Sequence, residues 1–388
     1  MSERKLARLV KIDDIVSIEG AERIELAMIG GWQVVVQKGL YQPGSLAVYC
    51  EVDSLVPTDL QCFADLPNRL SSKLLFEVNG KPYARIKTAK MMKQLSQGYC
   101  IPLSDVPGAI PGEVDADMTK QLGVIKYEKP EEKSMNNTGG NVTQKVRNFP
   151  SFIPKTDQNR IQNIGQRYMQ SVRQGEQFEK SFKLDGSSLT AWIKKGELGV
   201  ASRNVAFSPV SEKRSFIQTL KHFFIEQMWE GGKSFAKSKW EPIIPANDNA
   251  FTKMAHEAGL IGMLREFYLN TGRSIAIQGE MVGPSIQKNF EGRKQNEFFV
   301  FDIYDIDEQK YLLPSERRAI VDEYGLRHVP LATATFGSVL LPTVKEAIAD
   351  ADGPSGLGGK YREGFVYKSM TRDFSFKVIS NRYLLKEE

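Results

Sequence analysis

The sequence has 388 residues, of which 41% are hydrophobic and 26% are charged, and its net charge is +5. No apolar run is long enough to span a bilayer and the N-terminal residues lack the apolar core of a secretion signal, so we predict a soluble cytoplasmic protein. The small positive surplus is compatible with a polyanionic partner, but it does not establish one.

The cysteines and histidines are few and dispersed. There is no Cys-x-x-Cys pair, which argues against a disulfide framework and against a structural zinc site. We therefore expect ordinary thiols and imidazoles at Cys50, Cys62, Cys100, His222, His256 and His328.

The first third of the chain has the pattern of a small β barrel or sandwich. Short β-rich runs alternate with glycine and proline turns, and Gly30-Gly31 separates two such runs as a tight hairpin requires. A polar, turn-rich stretch follows, which cannot bury much apolar surface. We predict a first domain over residues 1–127, a linker over 128–147 and a second domain over 148–388.

The second domain alternates strands with amphipathic helices, which indicates an α+β fold with mainly antiparallel pairing. Helical spacing of apolar residues predicts helices over Ser211–Glu230 and Phe251–Leu269, and Pro314 opens a third with Ser315 as its N-cap. Strand-like runs occur at Gly175–Phe182, Leu189–Ile193, Ile275–Met281, Phe298–Tyr304, Gly364–Lys368 and Phe374–Val378.

A lysine, an acid and a flexible turn occur together in Lys183-Leu184-Asp185-Gly186, directly after a predicted strand. Taken alone, this tetrapeptide is compatible with a surface turn, because Asp-Gly is a common turn signal. Four further pieces follow in order, and the ordered set is far more specific than any one of them. They are Ser202-Arg203-Asn204, Gly279-Glu280, Phe298-Phe299-Val300-Phe301-Asp302, and Glu363 to Lys368 with Phe376-Lys377 close behind.

These pieces resemble the ordered motifs of the covalent nucleotidyltransferase superfamily, which includes DNA ligases, RNA ligases and mRNA capping enzymes. The chain looks most similar to the RNA ligases that carry an OB-type domain before the nucleotidyltransferase domain. The resemblance implies an N-terminal OB barrel followed by an antiparallel-sheet-rich adenylyltransferase domain. It also implies ATP-dependent joining of 3′-OH and 5′-phosphate ends through a lysyl-AMP intermediate and an AMP-capped 5′ end, as in RNA repair at nicks.

Lys183 is the expected nucleophile, but a lysine with its usual pKa of about 10.4 is mostly protonated at neutral pH. A second positive side chain and a divalent cation would lower that pKa, and Lys368 or Lys377 could supply part of the field. The carboxylates of Asp185, Glu280 and Glu363 are expected to hold Mg²⁺ or Mn²⁺, in part through its waters.

The resemblance assigns the remaining nucleotide contacts. Arg203 would hold the ribose or the 5′-phosphate, Phe301 would stack on adenine, and Gly186 and Glu280 would line the same pocket. Arg160, upstream of the nucleophile, is a candidate for the triphosphate or for nucleic acid. The last motif of the superfamily often has two lysines one residue apart, whereas here Ser375 takes the first position and only Lys377 remains. Lys377 is therefore the better candidate for the α-phosphate contact, with Lys368 as helper.

Capping enzymes and most DNA ligases carry an OB domain after the last motif, and only residues 378–388 follow Lys377 here. This favours the RNA ligase type, acting on RNA ends or on a nicked duplex with RNA at the 3′-OH side, without an obligate protein partner. The alternatives are a DNA ligase and a non-catalytic RNA-binding protein with an inactive nucleotidyltransferase domain. A basic stretch of the first domain could grip nucleic acid or be a solvated face. It contains Lys81, Arg85, Lys87, Lys90 and Lys93.

Overall fold

The computed structural model describes residues 4–108, 112–127, 146–207, 209–213, 240–246, 248–333 and 337–385. The N-terminal part consists of short, antiparallel strands in three sheets and a hairpin, with orders β1-β5-β11, β2-β3-β4, β12-β6-β8-β7 and β9-β10. Its elements are β1 Ala7–Lys11, β2 Asp14–Ser17, β3 Ile24–Ile29, β4 Trp32–Gln37, β5 Leu46–Cys50, β6 Ser54–Pro57, α1 Leu66–Arg69, β7 Leu75–Val78, β8 Lys81–Arg85, β9 Thr88–Met91, β10 Gln94–Gln97, β11 Tyr99–Pro102 and β12 Ile125–Lys126.

The predicted hairpin at Gly30-Gly31 is confirmed. Strands β3 and β4 pair with Ile29 opposite Trp32, so the two glycines form the whole turn. Gly30 has a φ of +57°, a left-handed conformation that glycine adopts without steric cost. The turn places Trp32 in the core of the domain, where its side chain is fully buried.

The C-terminal part is built on two larger sheets, one of seven strands with the order β13-β18-β17-β16-β21-β22-β23 and one of five with the order β14-β26-β25-β15-β24. Among their described strand pairs, only β14 with β26 is parallel. The strands are β13 Val146–Asn148, β14 Asn159–Arg160, β15 Gln177–Lys183, β16 Ser187–Lys194, β17 Glu197–Ala201, β18 Val205–Phe207, β19 Val210–Lys213, β20 Trp240–Ile243, β21 Ile275–Val282, β22 Glu297–Asp305, β23 Lys310–Tyr311, β24 Ser338–Val339, β25 Gly364–Ser369 and β26 Ser375–Ile379.

Helices cover the outer faces of these sheets. Side chains of the seven-stranded sheet share one buried cluster with α3 and α4, whereas those of the five-stranded sheet share another with α2 and α6. The strand ends that carry the motif residues therefore belong to sheets that are each packed against helices. The helices are α2 Gly165–Arg173, α3 Ala250–Glu257, α4 Leu260–Thr271, α5 Pro314–Glu323, α6 Val344–Asp350 and α7 Asn381–Leu384.

Two helix predictions need correction. The predicted helix Phe251–Leu269 is two helices, because Gly259 adopts a φ of +73° and separates α3 from α4. The third helix does begin at Pro314, but Leu313 is its N-cap, and the Leu313 N–H donates to Glu316 Oε2 at 3.1 Å. Ser315 therefore lies inside the first turn.

The predicted helix Ser211–Glu230 is wrong at its start. Residues 211–213 belong to β19, which pairs antiparallel with β20. The rest of that prediction, and most of the predicted linker 128–147, lie outside the described residues.

The N-terminal sheets contact the C-terminal part through polar side chains. Trp32 Nε1 donates to Asn163 Oδ1 at 2.9 Å, Arg160 Nη2 lies 3.3 Å from Asp53 Oδ2, and Lys126 pairs with Asp157. These contacts bring one edge of the N-terminal domain next to β14 and β26. In the described part of the chain, no helix is long and apolar enough to cross a membrane.

Candidate active site

Lys183 is the last residue of β15, and its register partner on β25 is Gly364. This pairing places Glu363 next to the lysine, and Lys183 Nζ lies 2.6 Å from Glu363 Oε2. The side chains are 27% and 13% exposed, so both are largely buried but still reach solvent. The structure therefore joins two motif residues that are 180 positions apart in the sequence.

Gly186 allows the next strand to approach. A Cβ at this position would lie 2.0 Å from the Met281 carbonyl oxygen, a separation that no side chain can tolerate. With glycine, β16 pairs closely with β21, and Ser188 lies opposite Glu280. The Asp-Gly turn thus brings Glu280 to the same end of the sheets as Lys183.

Three carboxylates act on the charge of Lys183. Burial would lower the pKa of the amine, but Glu363 and Glu280, together with Asp185, raise it overall. Burial raises the pKa of Glu280 to about 8, and the charges of Glu363 and Asp185 add to this rise while Lys183 opposes it. The lysine is therefore the counter-ion of this carboxylate cluster.

These carboxylates fit a divalent cation held through its waters. In the part of the chain that the structure describes, no group of three or more His, Cys, Asp or Glu side chains is close enough to ligate a metal directly. Asp185, Glu280 and Glu363 nevertheless concentrate negative charge around one amine. Magnesium keeps several of its waters in proteins, so a wider cluster of this kind can hold it.

Lys377, on β26, is the motif lysine whose charge is coupled to the nucleophile. Burial lowers its pKa to about 8, Asp157 opposes this, and the positive charges of Lys183 and Arg160 lower it further. Lys377 Nζ lies 3.3 Å from Asp157 Oδ1. The predicted effect of Lys377 on Lys183 therefore has a geometric basis.

Lys368 is placed differently from the prediction. In the β15–β25 register Lys368 lies opposite Glu179, whereas Lys183 lies opposite Gly364. Lys368 is four residues along β25 from Gly364, which is roughly 13 Å at the usual rise per residue. Its Nζ lies 2.5 Å from Asp302 Oδ1 and donates to the Phe301 carbonyl. These contacts direct Lys368 towards β22 and do not support its expected contribution to the field at Lys183.

Phe301 is half-buried, as expected of a residue that offers one ring face. It packs with Phe299 against a small cluster that also contains Leu184, so the predicted common face of the two rings is observed. Phe298 instead belongs to the core shared with α3 and α4. Lys368 Nζ lies 5.8 Å from the centroid of the Phe301 ring.

Arg203 and Lys377 meet at Asp157, to which the sequence analysis gave no role. Arg203 Nη2 lies 3.6 Å from Asp157 Oδ2, and Lys126 of the N-terminal domain pairs with the same carboxylate. Despite burial, the charges of Lys377 and Lys126 hold the pKa of Asp157 well below its usual range. In the sequence, Asp157 ends the segment Pro154-Lys155-Thr156-Asp157, which carries no indication of these partners.

Arg160, on β14, has guanidinium N–H groups that are not used in hydrogen bonds to the described residues. Its side chain is only 7% exposed, and its Nη2 pairs with Asp53. Within the described ranges, its buried Nε and Nη1 have no hydrogen-bond partner. Buried guanidinium N–H groups usually find acceptors, so this arrangement suits an anionic ligand.

A cavity of about 160 Å³ opens beside Asp157, and neither Lys183 nor Arg160 is among the residues that line it. Among the residues that line it are Asp157, Asp302, Lys368 and Ser375. The cavity thus extends from the Asp157 cluster towards the strand that carries Phe301. Ser375, which occupies the position where a lysine was expected, lies in its wall.

Glu291 is a second site residue that the sequence analysis missed. Its Oε1 accepts the Asp185 backbone N–H at 3.2 Å, and its Oε2 accepts the Ser355 hydroxyl. Burial raises the pKa of this carboxyl group. Glu291 fixes the turn after Lys183, and no motif in the sequence marks it.

Comparisons with known proteins agree with this geometry. A family model described as RNA ligase matches residues 176–379, and an OB-fold domain model matches residues 6–103. Among curated proteins no match was found.

Solved structures of Naegleria gruberi RNA ligase are similar over nearly the whole chain. An apo variant is 34% identical with a TM-score of 0.78, covering 99% of this chain and 98% of that one. Variants bound to ATP and Mn and to AMP and Mn are also 34% identical, cover 98% of both chains, and have TM-scores of 0.76 and 0.77. The predicted fold class, an OB-fold domain before a ligase-type nucleotidyltransferase fold, is confirmed.

Proposed function

Because this chain belongs to the RNA ligase family, we propose that it seals RNA by first attaching AMP from ATP to Lys183. The observation that carries the proposal is the placement of Lys183 Nζ 2.6 Å from Glu363, with Glu280 and Asp185 acting on the same amine. If Lys183 lay in an ordinary surface turn or on a solvated face, residues from separate motifs would not be expected to surround its amine. The chain is thus an ATP-dependent RNA ligase, and the steps below are our assignment.

ATP and a divalent metal are the expected cosubstrate and cofactor. Solved variants of Naegleria gruberi RNA ligase contain ATP or AMP together with Mn, which supports the same requirement here. Asp185, Glu280 and Glu363 would hold Mg²⁺ or Mn²⁺ through its waters. A cation there favours the neutral form of the Lys183 amine and offsets charge on the phosphates.

The remaining site residues would bind the nucleotide. Lys377 and Arg160 are the candidates for its phosphates, since the Lys377 side chain is only 15% exposed, Arg160 is buried, and the charges of Lys183 and Arg160 both act on Lys377. Phe301 would stack on adenine, and Arg203 would contact the ribose or the 5′-phosphate of the RNA. Lys368, which bonds the strand of Phe301, is better assigned as a positioning residue for the base.

Three in-line transfers complete the reaction. The neutral Lys183 amine attacks the α-phosphorus of ATP, a P–N bond forms and pyrophosphate leaves. An oxygen of the RNA 5′-phosphate then attacks the AMP phosphorus, the P–N bond breaks and Lys183 regains its amine. Finally the 3′-hydroxyl attacks the 5′-phosphate phosphorus and loses its proton to solvent, a phosphodiester forms and AMP leaves. The nitrogen of Lys183 releases a proton to solvent when the P–N bond forms and takes one up when that bond breaks. The protein contributes positioning and charge neutralisation.

We also propose the finer assignments of substrate and domain. The substrate would be RNA ends, or a nick with RNA at the 3′-OH side, in repair. The domain limits would be 1–127 and 148–388, with a linker over 128–147; the family matches over 6–103 and 176–379 support this division.

The test is the intact mass of the protein before and after ATP with Mg²⁺, with peptide mapping of the adduct. We expect one added AMP on Lys183. The adduct should disappear, and sealed product should form, when a nicked duplex with RNA on both sides of the nick is supplied. An adduct on another residue would contradict the assignment of Lys183. Equal sealing of an all-DNA nick would contradict the RNA preference.

A further inference from the structure

The hairpin of β9 and β10 has an unusual turn. Met91 pairs with Gln94, so Met92 and Lys93 alone form the turn, and their φ values are +46° and +67°. Two-residue turns of this kind favour Asn-Gly, because both positions are left-handed. Two long side chains at these positions cost conformational free energy, and such cost is often found where a side chain serves a function.

The tip of this hairpin is exposed and amphipathic. Met91 is 45% and Met92 is 50% exposed, which places two large apolar side chains side by side in solvent. Lys90 and Lys93 on either side of them are exposed as well. Two cations that flank two flexible apolar groups suit a polyanion that also presents sugar and base surfaces.

The root of the hairpin is fixed next to the active site. Ser96 and Gln97 are buried, and Ser96 Oγ accepts the Val35 N–H at 3.1 Å. Gln97 Nε2 donates to Asn381 Oδ1 at 3.2 Å. The residue before Asn381, Ser380, donates its N–H to the Glu363 carbonyl at 2.9 Å. A short chain of contacts thus links the hairpin to the catalytic carboxylate, whereas its tip points into solvent.

We propose that the β9–β10 hairpin is an RNA-binding arm for the nicked duplex. Lys90 and Lys93 contact backbone phosphates near the nick, and Met91 and Met92 lie against the sugar and base edges between them. The proposal rests on the RNA ligase function, because it names the surface that holds the substrate of the same site. It gives a role to part of the basic stretch Lys81–Lys93, which the catalytic site does not use.

The decisive variant replaces Met92→Asn and Lys93→Gly together. Asn-Gly is the preferred sequence for this turn, so the hairpin is retained while both contacting side chains are removed. A second variant, Lys90→Ala, removes a cation without touching the turn. Exposed residues on α4 provide matched controls: Arg265→Ala for charge and Leu269→Ala for apolar surface, since Leu269 is 82% exposed.

Binding is measured with a fluorescently labelled nicked RNA duplex in EDTA, at several salt concentrations, so that no turnover is needed. We expect about tenfold weaker binding for the Met92→Asn, Lys93→Gly variant. The slope of log affinity against log salt should fall by about one for each lysine removed. The two α4 variants should match the wild type, and AMP attachment to Lys183 should be unchanged in all four.

Three results would contradict the proposal that the β9–β10 hairpin binds RNA. Unchanged affinity and salt slope in the hairpin variants would do so, and equal weakening in the α4 variants would show that the effect is not local. Loss of AMP attachment in the Asn-Gly variant would assign the hairpin a structural role instead. Failure of the ligase proposal is seen separately, as a wild type that forms no AMP adduct in the mass measurement.

Discussion

The carboxylates around Lys183 favour the charged form of its amine. Its pKa is raised overall by Glu363 and Glu280, although burial works in the opposite direction. A protonated amine is no nucleophile, so attack by Lys183 requires that its positive charge be removed.

Replacement of Lys183→Met tests this residue. The side chain keeps a similar volume and loses only the amine, so we expect no AMP attachment and a fold that is retained. The measurement is intact mass after ATP and Mg²⁺, with thermal unfolding as the check on folding. Lys180→Met is the matched control: it removes a lysine of the same strand, paired with Asp350, and should leave AMP attachment intact. An AMP adduct on the Lys183→Met variant would contradict the assignment.

At the scale of elements, the contact between the two parts of the chain depends on close approach at the β3–β4 turn. A Cβ on Gly31 would lie 2.8 Å from Val344 Cγ1 and 3.2 Å from Gln162 Cα. Val344 begins α6, and Gln162 follows Arg160 of β14. The absence of a side chain at Gly31 therefore lets the N-terminal domain reach the strand that carries Arg160.

Gly31→Ala should separate these elements. We expect a loss of about 1–3 kcal/mol in unfolding free energy from overpacking, and slower AMP attachment because Arg160 moves with its strand. Urea unfolding and a single-turnover assay measure the two effects. Gly165→Ala is the control, because a Cβ there meets nothing within 4 Å, and it should be neutral or slightly stabilising. Equal behaviour of the two variants would argue against a close contact at Gly31.

At the scale of the molecule, a buried ionic network joins the two large sheets and α5. Arg317, fully buried, pairs with Glu179 of β15 and lies 3.8 Å from Asp302 of β22. Arg317 Nε also donates to His328 Nε2 at 2.9 Å, which requires the neutral imidazole. Burial and the charge of Arg317 lower the pKa of His328 to about 3, although Glu179 opposes this.

This network predicts acid sensitivity. The unfolded chain protonates His328 near pH 6.5 and the folded chain only near pH 3, so between these values the unfolded state binds more protons. Stability should therefore fall as the pH drops below about 6.5. The His328→Gln side chain can still accept a hydrogen bond from Arg317 but does not titrate. We expect the free energy of unfolding of this variant to fall by about 1–2 kcal/mol less than that of the wild type between pH 7 and pH 5. Urea unfolding at both pH values measures this, and parallel losses in the two proteins would contradict it.

The sequence by itself determined the fold class and proposed the residues of the site. Strand periodicity and turn residues located the Gly30-Gly31 hairpin and six of the fourteen described strands of the C-terminal part, because these depend on local backbone preferences. The ordered motifs singled out Lys183, Glu280, Glu363 and Lys377 as candidates, because their residue types are those that the chemistry needs.

Only the tertiary structure decided which of these residues act on one another. It separated Lys368 from Lys183 along β25 and directed it to Asp302, since strand register is set by pairing and not by motif order. It also gathered Lys377, Arg203 and Lys126 around Asp157, which required partners from both parts of the chain. Long-range charge contacts depend on packing between distant segments, and local sequence patterns do not record them.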